Sequence, residues 1–472
     1  MSITRRQFLR RSGLAAGGLA TYNLFGNPFV RRALAAVGDR FLVVVFLDGG
    51  NDGLNTVTPI SNGSGSLRAD YEAQRTSLRL STGQLLPIAA DPGTGGQLGL
   101  HPGLQGMKNL YDQGKVAVIQ GCGYPEYSLS HERARRIWET AAPLSSVGDG
   151  WAGKSLIEAG YGPLDIPGVT IDGTVAGELA QSGTSILAIR ELESFGFPYD
   201  DEGDFAPDIL AKRAAFLSLY QSAAASAAAK VQFLGNVGTS TLTASENYPP
   251  AHSLYEDDRS SWSSQYGNLD SGMANRFREV AKIMYGNQQG LPGVNARFFQ
   301  LSNGGYDTHA DQGAGQANGR HTELHREVAD ALELFYQDVA DMGLANDVMV
   351  MVWSEFSRRI QQNGNGTDHG SQGPVFVIGG QVNGGVYGNH PNIAPADLNN
   401  DGNTPYSQTS GDPHRSTDFR DIYGTILKRG VGMNESLILS DILPPDPGSD
   451  DDNYWTSGNH DFDMGFLPPF VP

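Results

Sequence analysis

The chain has 472 residues and a formal net charge of −19, with 52 acidic residues against 33 Lys and Arg. An acidic surface of this kind repels nucleic acid and anionic lipid, so neither is expected as a partner. Cys122 is the only cysteine, which excludes an internal disulfide, and stability must come from a sizeable core.

The first 35 residues have the order of an export signal. A basic segment containing Arg5 and Arg6 precedes a Gly- and Ala-rich stretch at 12–26, which is too short and too weakly apolar to span a bilayer. This order predicts a twin-arginine signal, cleaved after Ala35 or Ala36, with the translocase as partner and a periplasmic or extracellular destination. An attached basic amphipathic helix is the alternative. Cleavage after residue 35 removes six Arg and no acid, which lowers the net charge to −25.

Short continuous apolar runs alternate with helical patterns along the rest of the chain. Such runs are typical of strands buried on both faces, and the alternation predicts an α/β fold with an open, mostly parallel sheet and helices on both faces. The predicted strands, in chain order, are 41–47, 116–120, 296–301, 348–353 and 374–378. The clearest predicted helices are 207–234, 273–285 and 321–342.

Residues 36–472 are expected to form a single domain with polar loop insertions. Gly, Asn and Ser cluster in the predicted surface loops, which are 61–66, 91–99, 363–373 and 399–411. The tail from 444 to 472 is rich in Pro and Asp and is expected to lie over the surface.

Acidic and imidazole side chains follow four of the predicted strands. Because ligands of open α/β sheets bind beyond the carboxyl ends of the strands, we expect these side chains to cluster there. A helix cap or turn explains any one of them equally well, but four strand ends in series favour a site. The candidates are Asp48, Ser130, His131, Asp307, His309, Glu355, Asp368 and His369.

Carboxylate oxygens combined with imidazole nitrogens suit zinc, manganese or iron better than calcium. Two such ions about 4 Å apart can promote displacement at phosphorus or sulfur. A serine that begins a helix, Ser130 or Ser128, lies where backbone N–H groups hold an oxyanion, although capping is its alternative role. We therefore predict Ser130 or Ser128, together with His131, as catalytic residues, and the other six candidates as ligands of one or two divalent metal ions.

Five ordered motifs carry a resemblance to a known family. They are Leu-Asp-Gly-Gly-Asn-Asp-Gly-Leu-Asn at 47–55, Ser-Leu-Ser-His at 128–131, Gly-Gly-Tyr-Asp-Thr-His at 304–309, Ser-Glu-Phe-Ser-Arg at 354–358 and Thr-Asp-His-Gly at 367–370. With the leader, they resemble the twin-arginine-exported bacterial family DUF1501 over nearly the whole mature chain. That family looks like a distant relative of the alkaline phosphatase and sulfatase superfamily.

The resemblance implies an alkaline phosphatase-like fold and an exported, metal-dependent hydrolase of phosphate or sulfate esters. It matches Asp48 to the superfamily's first acid, Ser130 to its nucleophile, and two acid-histidine pairs to its metal ligands, namely Asp307 with His309 and Asp368 with His369. The chain departs from the superfamily in its Asp-x-His spacing at 307–309 and in Glu355, which ends a strand where an Asp-His pair is usual. The last histidine ligand is left open among His390, His414 and His321.

Weaker signals give the alternatives. Residues 397–402 resemble the start of a calcium loop, but Gln408 stands where the loop needs Glu. His321 and His325 are four apart, but the Glu that a zinc protease uses directly after its first His is missing. The absence of a Cys-x-Pro-Ser-Arg motif disfavours a formylglycine sulfatase. The substrate is expected to be a small or polymeric anionic ester. A non-catalytic exported protein that binds or assembles a cell-surface polymer is the other class of function.

Overall fold

A computed structural model describes residues 40–181, 183–197, 206–394, 411–443 and 460–471. The predicted leader at 1–35 and the calcium-like segment at 397–402 lie outside these ranges, as does most of the predicted loop at 399–411. Within the described residues, no helix combines the length and the apolar character needed to cross a bilayer.

The strands form one large sheet and two small ones. In chain order they are β1 (Phe41–Asp48), β2 (Val57–Pro59), β3 (Leu86–Ala90), β4 (Gln97–Leu100), β5 (Val116–Gly123), β6 (Gly168–Thr170), β7 (Ile186–Ala188), β8 (Phe298–Gly304), β9 (Val348–Trp353), β10 (Ser357–Arg358), β11 (His369–Gly370), β12 (Gly373–Gly379), β13 (Gly385–Tyr387) and β14 (Thr417–Asp418).

The large sheet has the order β13-β5-β12-β9-β1-β8-β6-β7, with β14 also paired to β5. β1 lies between β8 and β9 and is parallel to both. β12 is antiparallel to its two neighbours, β5 and β9, whereas the other pairs of this sheet are parallel. The mostly parallel sheet predicted from the sequence is therefore confirmed.

Helices cover both faces of this sheet. They are α1 (Gly53–Thr56), α2 (Leu67–Gln74), α3 (Gln105–Asp112), α4 (His131–Thr140), α5 (Trp151–Glu158), α6 (Ala206–Ala224), α7 (Ala229–Asn247), α8 (Pro249–Asp258), α9 (Ser260–Asn268), α10 (Gly272–Gln288), α11 (Arg320–Asp341), α12 (Phe419–Thr425) and α13 (Glu435–Leu437). Single 3-10 turns lie at Pro102–Leu104 and Gly177–Leu179, and π turns at Ile426–Gly430 and Ile438–Ile442.

The alternating side chains of β1 show how the core is divided. Val43 and Val45 pack in one cluster with apolar residues of α3, α10 and α11. Val44 and Phe46 point the other way, into a second cluster with residues of α4, α5 and α12. Successive strand residues face opposite sides of a sheet, so β1 is buried on both faces, as its unbroken apolar run predicts.

Two expectations about the chain need correction. The predicted helix over 207–234 is two helices, α6 and α7, separated at 225–228, and α7 continues to Asn247. The tail was expected over the surface, but Phe462, Phe466 and Leu467 are buried in the second cluster. Their aromatic and aliphatic side chains outweigh the polar character of the segment that precedes them.

Candidate metal centre

The carboxyl edge of the large sheet brings distant residues together. Asp307 follows β8, Glu355 follows β9, and His131 opens α4 after β5. His369 reaches the same edge by a different route, because β12 runs antiparallel and the chain therefore enters it from this edge. The antiparallel strand thus places a late histidine beside residues that leave parallel strands.

His131 is oriented by a buried carboxylate. Its Nδ1 lies 2.7 Å from Oε1 of Glu355, whose side chain is fully buried and also accepts a hydrogen bond from the backbone N–H of Gly49 at 3.0 Å. The hydrogen bond to Glu355 raises the pKa of His131, against the opposing effect of burial. With Nδ1–H donating to Glu355, the lone pair of Nε2 is free, and this atom lies 3.6 Å from Oδ2 of Asp307.

His369 is oriented by a backbone carbonyl. Its Nδ1 lies 2.8 Å from the carbonyl oxygen of Leu129, and since a carbonyl only accepts, Nδ1 carries the proton. The free Nε2 lies 3.3 Å from Oδ1 of Asp307. Burial lowers the pKa of His369, which favours the neutral imidazole that metal ligands require.

His309 completes the group from the loop after β8. Its Nδ1 lies 3.1 Å from Oδ1 of Asp368, a carboxylate that also accepts a hydrogen bond from Asn363. Its Nε2 lies 2.9 Å from Nε2 of His369 and 3.1 Å from Oδ1 of Asp307. In both His309 and His369, Nδ1 donates a hydrogen bond on the far side of the ring. The two Nε2 atoms therefore face each other with lone pairs and not with N–H groups.

We call His131, Asp307, His309 and His369 the imidazole cluster. Ligand atoms of His131, Asp307 and His369 all lie within 4.8 Å of one another. Each of the three histidines has an acceptor for Nδ1–H and turns Nε2 toward Asp307. Several lone pairs and a carboxylate at such short range repel one another unless a cation or protons lie among them.

Arg358 holds the loops that carry the cluster. Its buried guanidinium donates to the carbonyl oxygens of Gly49, Gly50, Tyr306 and Thr367, and it pairs with Asp307 at 2.7 Å. Burial alone would raise the pKa of Asp307, but the hydrogen bond and charge of Arg358 lower it. Arg358 belongs to the Ser-Glu-Phe-Ser-Arg motif at 354–358, but the sequence does not reveal that it holds these loops.

Gly49 fits where a side chain would not. Its φ is +121°, and a Cβ there would collide with the backbone of Tyr306 and Asp307. The strand end of β1 can therefore lie directly against the loop after β8 only with glycine at this position.

Asp48 ends β1 beside the cluster without joining it. It pairs in register with Gly304 of β8, and its carboxylate forms no hydrogen bond with any described residue. Burial, and then the charge of Glu355, raises the pKa of Asp48. Of the six residues expected as metal ligands, Asp307 and His369 are in the group of ligand atoms within 4.8 Å of one another, whereas Asp48, His309, Glu355 and Asp368 are not. Glu355 is instead hydrogen-bonded to His131 and Gly49.

Ser130 precedes the first residue of α4. It is exposed, its side chain makes no capping hydrogen bond, and its backbone N–H donates to Oγ of Ser128 at 3.2 Å. Within the described part of the chain its hydroxyl has no hydrogen-bond partner. An exposed hydroxyl without a hydrogen-bond partner among the described residues therefore stands next to His131 at a helix N-terminus.

Within the described residues, none of the three alternatives for the last histidine is hydrogen-bonded to the cluster. Nε2 of His321 bonds Oδ1 of Asn51 at 2.9 Å, in a separate buried group with His101 and His325. The ring of His390 bonds the carbonyl oxygen of Pro391, and its backbone N–H bonds Asp91. His414 is half-buried and forms no hydrogen bond to the cluster within the described residues.

Fold and geometry together define a class: an α/β protein with a histidine-rich, carboxylate-containing centre at the carboxyl edge of a mostly parallel sheet. Residues 287–428 match the family described as "Protein of unknown function (DUF1501)". The resemblance read from the sequence is thus confirmed over a segment that includes Asp307, His309, Glu355, Asp368 and His369. No curated protein matches the chain.

Several solved structures are similar to the chain at low identity. The lipoteichoic acid synthase LtaP from Listeria monocytogenes is 12% identical over 75% of this chain and 68% of its own, with a TM-score of 0.29. A protein in the alkaline phosphatase superfamily from Vibrio parahaemolyticus is 11% identical over 75% and 63%, with a TM-score of 0.30. The PsFucS1 sulfatase from Pseudoalteromonas sp. is 9% identical over 82% and 78%, with a TM-score of 0.25. A fold does not determine a function, so these similarities assign none to this chain.

Proposed function

We propose that the imidazole cluster binds a divalent transition metal ion and that the site hydrolyses phosphate or sulfate esters. One observation carries the proposal: the three histidines turn Nε2 toward Asp307 while Nδ1 of each faces a fixed acceptor. Metal-binding histidines are oriented in this way, because the outer hydrogen bond fixes the tautomer and the direction of the ring.

Three imidazoles and one carboxylate suit zinc, with manganese or iron as alternatives. A bound ion of this kind polarises an ester oxygen and lowers the pKa of a water molecule. In this proposal Glu355 and Asp368 orient His131 and His309, and do not themselves bind the ion. Arg358 keeps Asp307 charged and in place.

Ser130 is the proposed nucleophile. Its hydroxyl is unengaged, and it stands before the N-terminus of α4, where backbone N–H groups and the helix dipole stabilise negative charge. Attack by Oγ of Ser130 on phosphorus or sulfur would form a covalent ester and release the alcohol, and water would then hydrolyse that ester. His131 is the first residue of the same helix, so one turn would present both the nucleophile and a metal ligand.

The predicted leader and the acidic charge of the chain bear on where the protein acts and on which substrate. We propose that residues 1–35 direct export through the twin-arginine translocase, and that the protein acts in the periplasm or outside the cell on a small or polymeric anionic ester. About half of the surface of the Asp307, His309 and Asp368 side chains is exposed, which leaves room for a substrate larger than the site. The acidic surface disfavours nucleic acid as that substrate.

Elemental analysis combined with ester hydrolysis tests the proposal. We expect about one transition metal ion per folded chain, and hydrolysis of phosphomonoesters, phosphodiesters or sulfate esters that a chelator abolishes and zinc, manganese or iron restores. A folded chain that binds no transition metal and hydrolyses none of these esters would instead support the non-catalytic binding protein.

A further inference from the structure

A helical hairpin, formed by α6 and α7, is covered by the rest of the protein only in part. From residue 207 to residue 234 no side chain is buried, although this segment includes nearly all of α6 and the beginning of α7. α7 is anchored further along, where Ser240 donates a hydrogen bond to Ser185 at 2.8 Å and Ala244 is buried. α6 is anchored by Phe216, whose partly exposed ring lies edge-on to the buried Phe197, with 5.2 Å between the ring centroids. The hairpin therefore has a fixed base and an uncovered outer part.

The uncovered part is apolar. Ten large hydrophobic side chains are exposed in the described residues, and five of them lie on this hairpin. They are Leu210, Phe216, Leu219, Val231 and Leu234, and the exposed fractions of the three leucines are 67%, 64% and 62% in that order. Single exposed apolar residues are ordinary, but a concentration on one element marks an interaction surface.

The two helices are closely packed against each other, so the exposed side chains do not result from a missing partner within the hairpin. A Cβ at Gly235 would collide with the backbone of Ala224, and one at Gly238 would collide with the ring of Tyr220. Arg213 pairs with Glu246 across the hairpin at 3.0 Å. The apolar side chains project from a pair of helices that is already complete.

Charge indicates what covers this surface. Residues 206–247 contain two acids, Asp208 and Glu246, and three bases, Lys212, Arg213 and Lys230, for a net charge of +1 in a chain of −19. Two copies of so acidic a chain repel each other least where they meet through such an element. A lipid surface is disfavoured, since helices that bind membranes carry a strongly basic face opposite the apolar one.

We infer that the α6–α7 hairpin is the contact surface of a homodimer, in which the hairpins of two copies pack into a four-helix bundle. Each helix has 19 residues and is about 28 Å long. Two adjacent helices of about 10 Å diameter present a face of roughly 600 Å², so two copies bury roughly 1,200 Å², the lower end of specific interfaces. Interfaces at this lower end are typical of weak or transient association, so the dimer is expected to dissociate on dilution.

Sedimentation equilibrium of the full chain between about 0.1 and 100 μM tests this inference. The wild type is expected to change from monomer to dimer across this range. The double variant L219E/L234E places four charges in the interface and is expected to raise the Kd at least about a hundredfold, with an unchanged melting temperature because both side chains are exposed. The matched control is L164E, which alters a leucine with the same 62% exposure outside the hairpin and should leave the dimer intact.

Cysteine cross-linking gives a second measurement that does not depend on the charged variants. L219C or L234C should form disulfide-linked dimers under mild oxidation, whereas L164C should not, and the native Cys122 is buried and does not interfere. A wild type that stays monomeric at 100 μM overturns the inference, as does a dimer that L219E/L234E leaves unchanged. A monomer that floats with phosphatidylcholine and phosphatidylglycerol vesicles would assign the hairpin to lipid instead.

Discussion

Glu355, a fully buried carboxylate, accepts a hydrogen bond of 2.7 Å from the Nδ1 of His131, 224 residues earlier in the chain. The same Oε1 accepts the backbone N–H of Gly49, so a single oxygen atom connects the first strand end to the first residue of α4. Burying a charge is costly unless it is paired. The position of Glu355 is therefore better explained by what it does to His131 than by stability alone.

The substitution E355Q tests this relationship. Glutamine keeps the size of the side chain and an oxygen acceptor for His131, but removes the charge that makes the imidazole a stronger ligand. We expect metal affinity to fall on the order of 10- to 100-fold, as for other groups that orient metal ligands. Titration with zinc in a competing chelator measures the change. E132Q, on the exposed side of α4, is the control and should keep the parental affinity.

Variants of His369 and His414 test whether the metal ion is bound by the imidazole cluster or involves one of the alternative histidines. H369A removes the Nε2 that lies 3.3 Å from Asp307, so metal content should fall from about one ion per chain to a small fraction. H414A changes a half-buried histidine outside the cluster and should leave the metal in place. The measurement is the metal stoichiometry of both purified variants. Loss of metal in H414A and its retention in H369A would mean that His414, and not His369, is the histidine ligand.

The strand ends were predictable from the sequence, whereas the atoms that orient the histidines were not. Continuous apolar runs such as Val348–Trp353 fixed both the strands and the edge where candidate residues collect. The acceptor of His369, by contrast, is the backbone carbonyl of Leu129, and every residue has such a carbonyl. Three-residue strands such as β6 and β7 carry too short a pattern to be recognised, and an apolar run does not reveal that β12 is antiparallel.

The break between α6 and α7 is a second feature that could not be predicted from the sequence. Residues 206–247 contain few charges and many alanines, so the sequence favours helix throughout and does not mark the break at 225–228. The turn there is set by the packing of α6 on α7, where Gly235 and Gly238 allow close approach. Packing of this kind is a tertiary effect that local propensity does not contain.

The variant S130A distinguishes attack by the serine hydroxyl from direct attack by water. In S130A the hydroxyl is lost, while the backbone N–H groups of α4 and the imidazole cluster remain. If Ser130 attacks, ester hydrolysis should fall at least about 100-fold, the lower end of what a positioned reactive group contributes, with metal content unchanged. S128A is the control, although it removes the acceptor for the backbone N–H of Ser130 and should reduce the rate only slightly. Full activity in S130A would assign the attack to water.

Export depends on the paired arginines if the leader is of the twin-arginine type. Replacement of Arg5 and Arg6 by Lys keeps the positive charge, yet should trap the precursor in the cytoplasm with its folding unchanged. Fractionation of cells that express the parent and the double variant measures this. Normal export of the variant would contradict the assignment of the leader.

Asp48 and Asp52 lie in one glycine-rich turn but in different environments. Asp52 is fully buried and pairs with Arg75 at 2.5 Å, and it also accepts a hydrogen bond from Gln312 at 2.6 Å. Although burial alone would raise the pKa of Asp52, the charge and hydrogen bonds of Arg75 lower it. Asp48 has no such partner, and its pKa is raised.

The paired variants D48N and D52N therefore should behave differently. D52N leaves the Arg75 guanidinium buried without its counter-charge, so we expect a loss of roughly 3–5 kcal/mol in the free energy of unfolding, with metal still bound at low temperature. D48N removes an unpaired charge beside the cluster, so stability should change by less than about 1 kcal/mol. Since Asp48 is not among the converging ligand atoms, D48N should also keep about one ion per chain. Denaturant unfolding and metal analysis of both variants decide: loss of the ion in D48N would show that Asp48 is itself a ligand and that the centre extends along the sheet edge to β1.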